Sequence, residues 1–214
     1  MGVTEIVNVI MKIDKVTYKI EEKNYYKTKH KKTQIILGGT GRESNHHILR
    51  FQKREHGNYK GWNTFTISRE GLIYQHYNPK CYTDFMGIKE VDKKSISILL
   101  ENMGNVWYDG DDDKYINPLL EVCPEDLVYQ KLWREMRYWE KYTDEQMEST
   151  VFLCKHLIKE YRIPLNCVGY HVLEDGLKDF EGITSRGNYD VKYLDLNPSF
   201  DFNIFMDKMG IDNE

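Results

Sequence analysis

QIILGGTG, at residues 34–41, is the stretch that decides the fold class. The run Gln34-Ile35-Ile36-Leu37 is typical of a short strand that is buried on both faces, because it lacks polar alternation. The glycines that follow predict a flexible turn directly after the strand. Ligands of open α/β sheets bind at the carboxyl ends of the strands. We therefore expect the functional site where this strand ends.

The segments after this strand predict a sheet covered by helices. Residues 63–74, NTFTISREGLIY, alternate around Arg69-Glu70-Gly71 and indicate a hairpin, and residues 95–100, SISILL, predict a second buried strand. Residues 143–162 predict a long helix that Pro164 ends, because Thr143-Asp144-Glu145-Gln146 is a capping box and apolar residues recur at helical spacing. The predicted fold class is α/β, with a central mixed sheet flanked by helices.

The length of 214 residues favours one domain with elaborations. We interpret residues 1–32 as an N-terminal extension, in which alternating Val7, Val9, Met11 and Ile13 predict a strand or hairpin before a solvated basic segment. Residues 33–214 form the main domain. Residues 105–142 form an insert that starts with an acidic cluster and ends with aromatic residues. We expect this insert to be a partly helical surface elaboration.

Composition narrows the functional classes. The formal net charge of -4 gives no reason to expect nucleic-acid binding. The four cysteines lie far apart without a C-x-x-C pair, which favours reduced thiols. No apolar run reaches the ~18 residues of a membrane span, and the N-terminus has no signal-peptide pattern. These features predict synthesis in the cytoplasm and no membrane span.

Five segments resemble, in order, the zinc-dependent N-acetylmuramoyl-L-alanine amidases, a family that includes phage amidase-type lysozymes and animal peptidoglycan recognition proteins. Residues 35–41 match the strand I-V-I-H-H-T-A, and residues 63–75 match Y-H-F-L-I-D-R-D-G-T-I-Y-Q. Residues 95–100 match S-I-G-I-E-L, and residues 169–171 match G-H-R or A-H-H. The segment DLNPSFD, at residues 195–201, matches C-P-S-F-D or D-P-G-P-x-F-D. The resemblance covers roughly residues 34–205 and implies the amidase fold.

Residue by residue, the resemblance implies a zinc site that is partly replaced. Gly38 stands where the first zinc-ligating histidine is expected, whereas His171 matches the second ligand. The third ligand is Asp195 in one alignment and Asn197 in the other. Asn63 stands where a site tyrosine is expected. Glu101 lies two places beyond the expected acid at Leu99 and points to the same face of a regular strand.

The resemblance implies a role for each of these residues. Asp195 and Glu101 are the candidate catalytic residues, and His171 and Asp195 are the candidate metal ligands. The candidate substrate-binding residues are Gly38, Gly39, Asn63 and Asn197. Gly38 and Gly39 are compatible either with a groove floor that approaches a ligand or with a tight turn.

A hydrolytic zinc ion needs three protein ligands and an open fourth position, so that bound water becomes acidic. His171 and Asp195 supply two, and a third would come from elsewhere, for example His46 or His47. If His46 and His47 are not ligands, they are interpreted as a pair of histidines on the surface or at the start of a helix. The resemblance therefore implies zinc as the cofactor, although the matching positions supply an incomplete set of ligands.

Three functions remain open at this point. The first is a peptidoglycan-directed amidase of phage or bacterial source with a rearranged metal site. The second is a non-catalytic module that holds peptidoglycan or a muropeptide in the same groove. The third is a structural part of a phage particle, such as a tail or baseplate component, in which the aromatic insert makes the contacts. Location in the virion or the host cytoplasm would follow from such roles.

Overall fold

The computed structural model describes residues 12–169 and 173–211. The described strands are β1 (Ile13–Asp14), β2 (Gln34–Gly39), β3 (Phe65–Ile67), β4 (Ile73–Gln75), β5 (Ser95–Leu100), β6 (Asn105–Asp109), β7 (Lys114–Ile116), β8 (Val122–Cys123), β9 (Val128–Trp133), β10 (Met136–Glu140) and β11 (Gly182–Ser185). The described helices are α1 (Ser44–Lys53), α2 (Lys89–Lys94), α3 (Asp144–Tyr161), α4 (Arg186–Tyr189) and α5 (Phe202–Met209).

A six-stranded mixed sheet forms the centre, in the order β1-β4-β3-β5-β2-β11. Strands β3, β5, β2 and β11 are parallel to each other, whereas β4 is antiparallel to β3 and β1 is parallel to β4. Every residue of β2 and β5 is buried, which explains why neither strand carries a charged residue. The predicted fold class is confirmed. Strand β2 extends through Gly38 and Gly39, so the turn begins two residues later than predicted.

The hairpin and the long helix lie where the sequence places them. Strands β3 and β4 pair antiparallel around Gly71, whose φ of 78° is the left-handed conformation that favours glycine. Helix α3 begins after Thr143, which forms the predicted capping box with Gln146. Its buried face packs on the sheet through Met147, Val151 and Cys154, among others. Helix and sheet therefore share one apolar core.

The insert folds differently from the prediction. Strands β6 to β10 form a separate five-stranded antiparallel sheet in the order β8-β7-β6-β10-β9, with one 3-10 turn at Glu125–Leu127. The partly helical interpretation was wrong. β-Branched and aromatic residues such as Val106, Trp107 and Tyr108 favour strands, and consecutive strands pair as hairpins that the long-range pairing of β6 with β10 joins into one sheet. Trp139 anchors the insert, because it is fully buried and its Nε1 donates to the carbonyl of Lys131 at 2.9 Å.

The N-terminal segment is more closely integrated than a solvated extension would be. Ile13 pairs with Ile73 in the central sheet. Lys32, expected in solvent, is 1% exposed, and its Nζ donates to the carbonyl of Lys93 at 2.7 Å. The predictions for Val7, Val9 and Met11 lie outside the described residues. In the described parts of the chain, no helix is both long enough and apolar enough to cross a membrane.

Candidate functional site

A buried ion pair occupies the carboxyl end of β2. One carboxylate oxygen of Asp195, Oδ2, accepts hydrogen bonds from the backbone N–H of Gly39 at 2.8 Å and from Nε of Arg186 at 2.7 Å. Nη2 of Arg186 lies 2.7 Å from the same oxygen and also donates to the carbonyl of Gly39 at 3.0 Å. The side chains are only 18% and 15% exposed, so water screens their attraction weakly.

The local sequence positions Arg186 by a helix cap. Ser185 ends β11, and its backbone N–H donates to Oδ1 of Asn188 at 2.7 Å, which forms a capping box around the short helix α4. Arg186 is the first residue of that helix. Its guanidinium lies 4.7 Å from the ring centroid of Tyr193 and 5.3 Å from that of Phe85. Rings on the flanks fix the orientation of the planar group.

The ion pair lies so close to the backbone of β2 that position 38 requires glycine. A Cβ atom at position 38 would lie 2.4 Å from Oδ2 of Asp195 and 2.9 Å from Nε of Arg186. A Cβ at Gly39 would lie 3.1 Å from Oη of Tyr142. The glycines are therefore part of a strand against which charged and polar side chains pack. The volume in which a side chain at position 38 would begin is filled by Asp195 and Arg186.

A cavity of about 250 Å³ opens beside Asp195. Gly39, Tyr142 and Asn197 line it together with Asp195, and Asn105 and Pro118 contribute a wall from the insert. Burial raises the pKa of Tyr142, and the negative charge of Asp195 adds to this effect. The phenol is therefore a neutral hydrogen-bonding group at physiological pH.

Asn197 faces the cavity but is held by internal hydrogen bonds. Its Nδ2 donates to Oδ1 of Asn102 at 2.8 Å and to the carbonyl of Glu140 at 3.1 Å. Its Oδ1 accepts from the backbone N–H of Ser199 at 2.9 Å. Since both ends of the amide are engaged, the contacts of Asn197 join the C-terminal segment to the insert. Of the two candidates, Asp195 is the one that touches β2.

Glu101 and Asn63 lie elsewhere. Glu101 follows β5, and its carboxylate accepts from Oγ of Ser44 at 2.6 Å, at the start of α1. It is not among the residues that line the cavity beside Asp195. Asn63 is fully buried, and its Nδ2 donates to the carbonyl of Phe65 at 2.6 Å. With no exposed surface, Asn63 cannot contact a substrate in this arrangement.

Asn63 instead belongs to a buried chain of polar groups. Nε2 of His47 donates to Oδ1 of Asn63 at 3.1 Å, and Nδ2 of Asn63 lies 2.8 Å from Oγ1 of Thr66. His76 donates through Nδ1 to the carbonyl of Tyr18 at 2.9 Å, so its Nε2 accepts from Thr66 at 2.8 Å. Burial lowers the pKa of His47 to about 3 and that of His76 to about 4. Both imidazoles are neutral and structural.

The described side chains do not fit a zinc centre. Residues 12–169 and 173–211 contain no group of three or more His, Cys, Asp or Glu side chains that could hold a metal ion. Gly38 offers no donor atom, and the inner oxygen of Asp195 is bound by Arg186. His46 lies near Glu43 on the surface, whereas His47 is buried. The predicted ligand His171 lies outside the described residues.

Sequence reasoning did not identify Arg186 or Tyr142 as site residues. The only local signal for Arg186 is the cap pattern Ser185-Arg186-Gly187-Asn188 after the apolar pair Ile183-Thr184. Tyr142 directly precedes the capping box of α3 and was counted only as an aromatic residue of the insert. Neither position is recognisable without knowledge of which strand ends meet.

Comparison with known proteins agrees with this fold. A family model described as N-acetylmuramoyl-L-alanine amidase matches residues 28–180. A comparison with curated protein sequences gives no match. The matched residues make up more than half of the chain, and the fold agrees with the match. The chain belongs to the N-acetylmuramoyl-L-alanine amidase family, in which zinc dependence is the norm.

Solved structures with the same fold include two amidases and the protein PlyL. The amidase LysC from Clostridium intestinale URNW has a TM-score of 0.56 at 16% identity and covers 94% of this chain and 99% of its own. PlyL has a TM-score of 0.53 at 11% identity, with 93% and 97% covered. AmiD from E. coli, in complex with anhydro-N-acetylmuramic acid-L-Ala-D-gamma-Glu-L-Lys, has 0.56 at 12% identity, with 92% and 67% covered. At these identities the likeness shows the fold alone.

Proposed function

We propose that this amidase-family protein binds a peptidoglycan muropeptide at the carboxyl edge of its central sheet and does not hydrolyse it. The observation that supports the proposal is the Arg186–Asp195 ion pair in the volume above Gly38. The family strand places its first zinc-ligating histidine at this position. Here the position has no side chain, and the cation beside Asp195 is a guanidinium.

A guanidinium cannot replace the chemistry of zinc. A catalytic zinc ion lowers the pKa of bound water toward ~7 and polarises the scissile carbonyl. Arg186 has no coordination position for hydroxide and stays protonated, but it can hydrogen-bond a carbonyl or carboxylate oxygen. Such a site holds the amide or acid groups of a peptide stem without generating a nucleophile.

The cavity beside Asp195, and the turn after β2 next to it, supply further groups for a peptide. Oδ2 of Asp195 faces Arg186 and Gly39, which leaves the other oxygen to accept an N–H of a ligand. Arg42, in the turn after β2, has a buried Nε without a hydrogen-bond partner among the described residues. An unpaired buried guanidinium nitrogen is costly, which makes Arg42 a candidate partner for a stem-peptide carboxylate. The muropeptide is chosen as ligand because AmiD is described with one.

The test combines binding, turnover and metal content. N-acetylmuramoyl-L-alanyl-D-isoglutamine is titrated by calorimetry into the full chain, and the same mixture is examined by chromatography after incubation with added zinc. We expect binding, no release of the muramoyl group and no bound zinc by elemental analysis. Arg42→Ala should weaken binding, whereas Arg54→Ala, on the surface after α1, should not.

The opposite result would restore hydrolysis. About one zinc per chain, lost in His171→Ala, together with cleavage of the muropeptide, would contradict the proposal and support an active amidase with His171 and Asp195 as ligands. Absence of muropeptide binding would contradict it as well. Catalytic roles for Asp195 and Glu101 are testable in the same assay by Asp195→Asn and Glu101→Gln.

A second candidate function is assembly through the insert into a larger phage particle. The observation that favours it is the exposure of apolar side chains on the insert: Leu120 is 79% exposed, Leu132 70% and Val122 60%. The test is the oligomeric state and partner capture of the full chain compared with a Leu120→Ser, Leu132→Ser variant. Unchanged assembly in that variant would contradict this role.

A further inference from the structure

A second, larger cavity lies at the opposite edge of the central sheet from Asp195. It has a volume of about 600 Å³, within the range of roughly 300–1,000 Å³ that small-molecule sites occupy. Phe65, Gln75 and Tyr77 line it, where β3 starts and β4 ends. Since β3 runs parallel to β2, this edge is the amino end of β2, away from Gly39. His156 and Tyr161 from the end of α3 close one side.

Four lysines surround this cavity. Lys15, Lys19 and Lys29 come from the N-terminal segment, and Lys80 follows β4. Each is exposed, and none has an ion pair or side-chain hydrogen bond within the described parts of the chain. The lining has one carboxylate, Glu160. The concavity therefore carries an excess of positive charge on a protein whose formal net charge is -4.

The glutamates of the N-terminal segment form ion pairs with other lysines. Residues 12–32 contain eight lysines but three carboxylates. Glu21 pairs with Lys23 at 3.0 Å, and Glu22 pairs with Lys27. Asp14 accepts hydrogen bonds from the backbone N–H groups of residues 16 and 17 at 2.8 and 3.0 Å. The two glutamates of this segment are thus paired with lysines that do not line the cavity.

Such an arrangement favours an anionic ligand. A cleft lined by charges of one sign concentrates its field and raises the local concentration of the opposite ion. Lysine ammonium groups bind phosphate as point charges. The like charges repel each other when the cavity holds no anion, so the arrangement brings no stability of its own.

The floor of the cavity is aromatic. Tyr25 and Tyr77 stack with ring centroids 5.3 Å apart and an interplanar angle of 16°. Tyr77 is 5% exposed and Phe65 is 1% exposed, so the half-buried ring of Tyr25 is the part of this floor that a ligand can contact. Aromatic rings with a polar edge suit the flat apolar face and the hydroxyls of a sugar ring. The charged rim and the aromatic floor of the cavity together favour a small anion that carries a ring.

We propose that this cavity binds a phosphorylated sugar, with the phosphate on the lysines and the ring on the tyrosine floor. The site is independent of the groove beside Asp195. The cavity requires a small ligand. Binding of a small anion is compatible with the negative net charge of the protein, because it does not need the whole surface to attract polyanions.

The test is calorimetric titration of the full chain, at low salt, with glucose 1-phosphate, inorganic phosphate and glucose. We expect glucose 1-phosphate to bind most tightly, inorganic phosphate more weakly and glucose without detectable heat. The Lys15→Gln, Lys29→Gln variant should lose roughly tenfold in affinity, because two ammonium contacts are removed. Added salt should weaken binding, since screening shortens the range of these charges.

Lys23→Gln, Lys27→Gln is the matched control. It removes the same charge from the same segment, but from lysines that are paired with glutamates and do not line the cavity. Equal loss in both double variants would mean unspecific attraction and would overturn the proposal. Absence of binding by glucose 1-phosphate, or equal affinity for inorganic phosphate, would overturn it too. Muropeptide binding should be unchanged in either variant.

Discussion

Arg186 and Asp195 form an ion pair with Nη2 and Oδ2 2.7 Å apart, in contact with the backbone of Gly39. The strand of the amidase family that carries a zinc ligand ends here in two glycines. The negative charge of Asp195 is thus balanced within the protein by the guanidinium of Arg186, which belongs to the helix after β11. The consequences for stability and metal binding can be measured.

Gly38→Ala should destabilise the protein. The new Cβ would lie 2.4 Å from Oδ2 of Asp195, and that oxygen cannot move without loss of its bonds to Arg186 and Gly39. We expect a decrease of about 1–3 kcal/mol in the free energy of unfolding, measured by urea denaturation. Gly110→Ala is the control, because the nearest atom to its Cβ is 3.8 Å away. Equal stability of both variants would contradict the packing described.

Arg186→Gln should also destabilise the folded state, by about 2 kcal/mol, because it leaves a partly buried carboxylate without its charged partner. Lys192→Gln provides a comparison. That lysine pairs with Asp190 at 2.8 Å on the surface, where the two side chains are 66% and 40% exposed. Its removal should destabilise the protein clearly less than removal of Arg186, because solvent screens an exposed pair. Similar values for the two variants would show that burial does not strengthen the Arg186 pair.

Stability should fall with acidification because of His47 and His76. In the unfolded chain an imidazole takes up a proton near pH ~6.5, whereas burial lowers the pKa to about 3 for His47 and about 4 for His76. The unfolded state therefore binds more protons as pH decreases from 6.5 toward 4. Stability that is fully present above pH ~6.5 is lost through this window.

The measurement is the free energy of unfolding in urea at several pH values between 7 and 4.5. His76→Gln should reduce the pH slope by up to roughly 1.4 kcal/mol per pH unit, since one site no longer titrates. His46→Gln, at an exposed position, should leave the slope unchanged. A slope in His76→Gln equal to that of the wild type would refute the neutral, buried state of this imidazole.

Restoration of a ligand should increase zinc affinity only when the guanidinium is removed. Gly38→His alone meets Asp195 and Arg186, whereas Gly38→His with Arg186→Ala frees the carboxylate for metal binding. We expect zinc uptake in the double variant, measured by elemental analysis, and its loss when His171→Ala is added. Uptake by the wild type to the same level would contradict the replacement of zinc by Arg186.

The sequence by itself determined the elements whose signals are local. The isoleucine- and leucine-rich run SISILL predicts the buried strand β5 with the correct ends, and the capping box predicts the start of α3 at the correct residue. The hairpin around Gly71 follows from a turn that requires positive φ. Motif order was sufficient to indicate the amidase family, because it depends on short segments that keep their spacing along the chain.

Only the tertiary structure decided which side chains lie at the carboxyl end of β2. The distance between Arg186 and Asp195 depends on which strand ends lie side by side, and the hairpins of the insert became one sheet only through the pairing of β6 with β10, which are distant in sequence. Asn63 was expected at the site, yet its amide is enclosed with His47 because α1 covers it. Periodicity shows which residues are buried, but only packing places two side chains together.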